Sequence, residues 1–234
     1  MLALRLLTSL GLAASIAVPA AATTISFQNG VGGYAGADNG SHSFDGTITQ
    51  DQIRLDLPSA SQPEGSWAWV VFGDIVGPSA VPEGTTVLSA TFEGYVRNPF
   101  DAAQLTRLLD HVDNRPFGPG ANILDAAGVF WDAAQLLSIF HGPCSDAVEC
   151  VPPLAVSFDV TAIVQSWVDG APNYGFLFLP GTTNGGKLFA TDAVDPALRP
   201  RLVIEYGGGG VSVPEPALLT LLVLAFVIAA ARRS

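Results

Sequence analysis

The middle of the chain alternates. Thr85–Val96, TTVLSATFEGYV, puts Leu88, Ala90, Phe92 and Val96 on one side and Ser89, Thr91, Glu93 and Tyr95 on the other. A period of two is that of a strand with one buried face. Ser66–Ile75, SWAWVVFGDI, is apolar on both sides and reads as a strand solvated on neither. Gly175–Pro180, Lys187–Thr191 and Arg201–Tyr206 read as three further strands. Turn signals at Asn173-Tyr174-Gly175, Asn184-Gly185-Gly186 and Asp195-Pro196 set them apart. One stretch changes period. In FDVTAIVQSWVDG, Phe158–Gly170, the residues Val160, Ile163, Val164, Trp167 and Val168 fall on one face of a short helix. Asp159 can cap its start and Gly170 its end. Further helices are expected over Asp101–Asp110, DAAQLTRLLD, and, more weakly, Trp131–Phe140, WDAAQLLSIF. The pattern predicts a mainly β protein, a sandwich with one or a few short helices.

Both ends are greasy. Arg5, the apolar run Leu6–Val18 and Ala20-Ala21-Ala22 are the parts of a secretory signal peptide, with cleavage expected after Ala22 or, alternatively, Ala20. At the other end, Ala217–Ala231 holds one polar residue, Thr220. Fifteen helical residues rise about 22 Å, short of a hydrocarbon core about 30 Å thick. Local thinning can close that gap, and Arg232-Arg233 would stay in the cytoplasm. The expected organisation is a signal peptide over 1–22, one sandwich domain over 23–206, a glycine linker over 207–213 and a tail over 214–234. The transmembrane helix of that tail would span 217–231.

Charge narrows the partners. Without its ends the chain keeps seven basic and twenty acidic residues, a formal charge of −13. Lys187 is its one lysine, so a phosphate-tracking surface is excluded and nucleic acid is not an expected partner. Two cysteines, Cys144 and Cys150, are spaced to close one small loop as a disulfide in an exported protein. His141 lies close by, but the local sequence does not complete a zinc ligand set.

Catalytic motifs are scarce. Gly30-Val31-Gly32-Gly33-Tyr34-Ala35 matches a dinucleotide loop in letters, but Gly36 and Asp38-Asn39-Gly40 follow where a helix must begin, so a plain loop is expected. No G-x-S-x-G is present, and His42, His111 and His141 are far apart in sequence. No catalytic residue is assigned. The oxygen-rich stretches Asp38-Asn39-Gly40 and Asp45-Gly46 are expected to be turns, with a structural calcium as the lesser alternative and no other cofactor. Trp67 and Trp69, two apart on one strand face, are the candidate sugar-binding pair; their alternative place is the core, which the usual burial of tryptophan favours.

Two resemblances add to this. Val213-Pro214-Glu215-Pro216, an apolar helix and Arg232-Arg233 together resemble the PEP-CTERM sorting signal of Gram-negative bacteria. The resemblance implies processing by a membrane-embedded exosortase, after transient anchoring in the inner membrane. It also implies delivery to the cell surface or an exopolysaccharide matrix such as a biofilm. FDVTAIVQSWVDGAPNYGFLFLP, then LRPRLVIEY, and the earlier VPEGTTVLSATFEGYV resemble the DNRLRE domain family. That resemblance spans roughly Ser66–Tyr206 and implies a jelly-roll-type sandwich found beside polysaccharide-active enzymes. The family supplies no catalytic residue. Here Asp113-Asn114-Arg115 runs into Pro116 and the family's Thr-Trp-Asn segment is missing, so no ligand site carries over from the middle region. The expectation is a non-catalytic surface or matrix protein that binds or organises polysaccharide. A structural or protein-binding module is the alternative, and a polysaccharide hydrolase or lyase a more distant one.

Overall fold

The computed structural model describes residues 21–42, 48–49, 53–55, 66–98, 102–114, 123–140, 150–180 and 186–207. Residues 1–20 of the expected signal peptide, Cys144, Asp45-Gly46 and the tail from residue 208, with Val213, Pro214, Glu215, Pro216, Arg232 and Arg233, lie outside them. Among the described residues no helix is long and apolar enough to cross a membrane.

Among the described residues the protein is mainly β, with two antiparallel sheets and one α-helix. The strands are β1 (Thr23–Gln28), β2 (Ala37–His42), β3 (Ile48–Thr49), β4 (Ile53–Leu55), β5 (Trp67–Phe72) and β6 (Thr86–Asn98). They continue with β7 (Ala102–Arg107), β8 (Leu137–Phe140), β9 (Leu154–Asp159), β10 (Phe176–Pro180), β11 (Gly186–Leu188) and β12 (Arg201–Gly207). The helix α1 spans Thr161–Val168. The first sheet runs β1-β12-β6-β11-β4, and β9 adds to the other edge of β6. The second runs β3-β2-β5-β10-β7-β8.

The sheets face each other across one apolar cluster. Phe92 of β6 meets Phe72, Phe176 and Phe178 of the opposite sheet, with ring centroids 6.2, 5.7 and 5.2 Å away. Burial of each such side chain contributes about 1.5–3 kcal/mol. The expected inward face of β6 holds at Ala90, Phe92 and Val96, with Gly94 between the last two, but Leu88 is half exposed and Val87 is buried instead. The cause is a register shift against β12: Glu205 pairs Ser89 while Tyr206 pairs Val87, so Leu88 is the extra residue of a bulge.

The second sheet is covered on its outer side as well. Trp67, Trp69, Leu177 and Leu179 point away from the central cluster and pack with Leu108, Val112, Ile123, Ala126, Phe130 and Trp131. The segment after β7 therefore lies across this sheet, which is why β5 and β10 are apolar at consecutive positions. Within the cover, Trp131 Nε1–H donates to the Ile123 carbonyl at 2.9 Å.

Two expected helices are strands or turns. Within DAAQLTRLLD, Ala102–Arg107 forms β7, paired on both sides by β10 and β8; Leu105 enters the central cluster while Leu108, just past the strand, joins the outer one. WDAAQLLSIF forms a single 3₁₀ turn over Ala133–Gln135, capped by Asp132 through the Ala134 N–H, and then β8. In both, ladder hydrogen bonds override a helical spacing too short to be decisive. The third expected helix is present as α1 and buries Ile163, Val164, Trp167 and Val168. Asp159 does cap it, one residue before the formal N-cap Val160: Asp159 Oδ1 accepts from the Thr161 N–H at 3.0 Å and from its hydroxyl at 2.6 Å. Gly170, at φ 99°, ends the helix in the left-handed region that favours glycine.

Candidate functional site

The expected sugar-binding pair is not on the surface. Trp67 is 1% exposed and Trp69 is 6% exposed. Trp67 is stacked on His42 at 4.9 Å and meets Phe130 at 6.1 Å, while Trp69 lies over Gly40 of β2. A Cβ on Gly40 would sit 1.9 Å from Trp69 Cη2. The covering stretches 108–114 and 123–131 turn this strand face into a second core, so both tryptophans take the core place that tryptophan burial favoured, not that of a sugar platform.

Among the described residues the first sheet has no such cover, and its outer side carries polar residues in register. Gln28 on β1 pairs with Arg201 on β12, Arg201 with Glu93 on β6, and Glu93 with Ser157 on β9. Their neighbours Phe27, Leu202, Phe92, Val156 and Phe158 are buried inward, so strand alternation turns the whole row outward. Tyr95, the next outward residue of β6, stands opposite Ala155. Beside the row rises the segment before β12, with a 3₁₀ turn over Pro196–Leu198 that Asp195 caps. Row and segment enclose a groove of about 560 Å³.

Its wall is fastened by side-chain to backbone hydrogen bonds. Gln28 Nε2 donates to the Pro196 carbonyl at 3.0 Å and the Arg199 carbonyl at 2.9 Å. Arg199 donates from Nε to the Ala193 carbonyl at 2.7 Å and from Nη1 to the Asn29 carbonyl at 2.9 Å. On the floor, Arg201 Nε donates to Glu93 Oε2 at 2.8 Å, and its Nη2 donates to the same oxygen. Tyr95 is half-buried and Ser157 exposed, and neither hydroxyl bonds to another described residue. Such a floor offers hydroxyls, an amide oxygen and one aromatic ring. Arg97, two residues beyond Tyr95, borders a second hollow of about 480 Å³ with Phe189, Asp192 and Asp195. Strand rise places Arg97 about 14 Å from Glu93 along β6.

A smaller hollow of about 270 Å³ lies against the second sheet, bordered by Asp38, Trp69, His111, Asp113, Asn173 and Tyr174. His111 Nδ1 is 3.4 Å from Asp113 Oδ2, with both side chains well exposed. Asp110 beside them is held below the usual carboxylate range, chiefly by a hydrogen bond from the Asn114 side chain. Among the described residues no three of His, Cys, Asp and Glu converge to hold a metal ion. Asp38-Asn39-Gly40 is not the expected turn but the middle of β2, and Asn39 Oδ1 accepts from both the Thr191 N–H and its hydroxyl at 2.7 Å. The Gly30–Ala35 loop leads into β2 rather than a helix. Cys150 is buried and disulfide-bonded; the chain has one other cysteine, Cys144.

The alternation of TFEGYV marks Glu93 and Tyr95 as outward residues. Gln28, Ser157, Arg199 and Arg201 gave no such signal, because only cross-strand register brings them to the same groove. No protein-family model matches the chain, and no curated protein matches it.

Proposed function

We propose that this is an exported surface or matrix protein whose sandwich holds polysaccharide in the groove on its first sheet, without catalysis. The observation that carries the reading is the row Gln28–Arg201–Glu93–Ser157 with Tyr95 beside it, on the one sheet face that no segment of the described chain covers. Sugar rings present vicinal hydroxyls that donate and accept, and an aromatic side chain complements their apolar side. Among the described residues Glu93 is the single carboxylate lining this groove, whereas glycoside cleavage ordinarily uses two. The row therefore favours retention over turnover.

The strand order supports the jelly-roll form of the sandwich. The series β1-β12-β6-β9 faces β5-β10-β7-β8, the interleaving that two Greek keys produce. It also gives the DNRLRE-like residues structural work: Thr161 Oγ1 accepts from the Ala90 N–H at 2.9 Å, and Asn173 Nδ2 donates to the Phe72 carbonyl at 2.7 Å. Export, exosortase processing and transient anchoring of the tail rest on the sequence at both ends. Retention of the purified chain on isolated exopolysaccharide, lost in Tyr95→Ala, is the expected result. Equal retention of that variant, or none by the parent on any glycan, would refute the groove as the site.

A further inference from the structure

Within that reading, on which this inference rests, the charges of the groove define its ligand further. We propose that it selects neutral, hydroxyl-rich glycan chains and discriminates against polyuronates. The chain carries a net charge of −11, yet the two hollows beside β6 are balanced: Arg97, Arg199 and Arg201 stand with Glu93, Asp192 and Asp195. The arginine at the centre of the row is committed. Arg201 gives two N–H groups to Glu93 Oε2. Arg199 is spent on the backbone, holding Ala193 and Asn29.

A sugar carboxylate entering the row would either share Arg201 with Glu93 or draw it away. Both leave the Glu93 carboxylate beside a second negative charge, so the gain to one anion is a loss to the other. The surrounding acidic protein adds long-range repulsion. A neutral hydroxyl asks for no exchange. It can donate to a Glu93 oxygen and accept from Tyr95, Ser157 or a remaining Arg201 N–H while the ion pair stays closed. Charge balance thus favours one occupant, an uncharged chain laid along β6 past Glu93 and Tyr95.

The test is affinity electrophoresis of the full chain in gels containing a neutral β-glucan, a neutral mannan or a polyuronate. Retardation by at least one neutral polymer is expected, about tenfold stronger than by the polyuronate. Tyr95→Ala should lose that retardation by a similar factor, and Tyr95→Phe shows how much of it the ring alone supplies. Glu93→Gln, at a half-exposed position and checked for folding by circular dichroism, should weaken neutral binding, because a sugar hydroxyl loses its carboxylate acceptor, and gain polyuronate retardation, because Arg201 is then released. Binding of the polyuronate alone by the parent would overturn this inference and leave polysaccharide binding standing. A Glu93→Gln variant with unchanged polyuronate behaviour would overturn the ion-pair argument. No retardation by any polymer would overturn both the inference and the proposed function.

Discussion

Gln165 of α1 reaches the backbone of β6 where its pairing with β9 has run out: its Oε1 accepts from the Val87 N–H at 2.7 Å. The same side chain donates from Nε2 to the Thr85 carbonyl at 3.1 Å and to Asp169 Oδ1 at 2.9 Å. β9 pairs with β6 only over Thr91–Val96, so the first residues of β6 would otherwise end in open ladder groups. The Gln165 amide stands in for a strand there. An unpaired edge is a hazard in any sheet, and a buried N–H without an acceptor costs about 1–3 kcal/mol. Gln165→Leu should therefore lower stability by about 2 kcal/mol, read from the midpoint of urea unfolding. Gln165→Glu keeps an acceptor for Val87 but not the donor for Thr85, and should fall between the two.

Acid should loosen the start of the helix. The hydroxyl of Thr161, and secondly its N–H, hold the Asp159 carboxyl below its ordinary value of 3.8. A carboxyl lowered by folding adds stability that is present above the unfolded value and is lost as pH falls through the folded one. The stability lead of the parent over Asp159→Asn should be constant near neutrality and shrink once pH drops below 3.8. Urea titrations of both proteins from neutral to acid pH check this. At neutral pH, Asp159→Ala should cost about 1 kcal/mol as a lost cap.

Gly40 is required because Trp69 occupies its Cβ position. The contact would be 1.9 Å, with ring atoms that are themselves enclosed. Gly40→Ala should destabilise by about 3 kcal/mol and shift tryptophan fluorescence toward the red as Trp69 is pushed out. An unchanged spectrum with unchanged stability would contradict the packing described.

Arg107 ties the segment covering the second sheet to α1. It donates from Nε to Asp132 Oδ2 at 2.8 Å and from Nη1 to Ser166 Oγ at 2.9 Å. The pair is mostly enclosed, with 21% and 14% of the two side chains exposed. Arg107→Met should cost about 2 kcal/mol and speed amide exchange over residues 123–132. A double-mutant cycle with Asp132→Asn should show coupling between the two changes.

Much of this architecture was legible in the residues, in proportion to how local its causes are. The Val160–Val168 period fixed α1 because one face meets one surface. TTVLSATFEGYV announced β6 by alternation, except at Leu88, where a bulge set by β12 breaks the period. DAAQLTRLLD misled because Leu105 and Leu108 sit three apart for a different reason: each serves a separate core, one on either side of the sheet. Trp67 and Trp69 raised the same ambiguity. Two tryptophans on one strand face serve a sugar platform or a wall; burial statistics lean to the wall, but the cover that makes it one lies some sixty residues away, at Phe130 and Trp131. The groove was the least legible part. Arg201 and Glu93 are separated by 108 positions, and their pairing depends on a register no single strand specifies.

The most direct measurement is a backbone amide spectrum of the isotopically labelled chain, recorded as a soluble neutral oligosaccharide is added. Binding in the groove predicts shifts concentrated at Gln28, Glu93, Tyr95, Ser157 and Arg201, with the Trp67 and Trp69 indole signals unmoved. Shifts gathered instead on residues 108–131 and the two indoles, or a spectrum unchanged by every glycan tried, would contradict it.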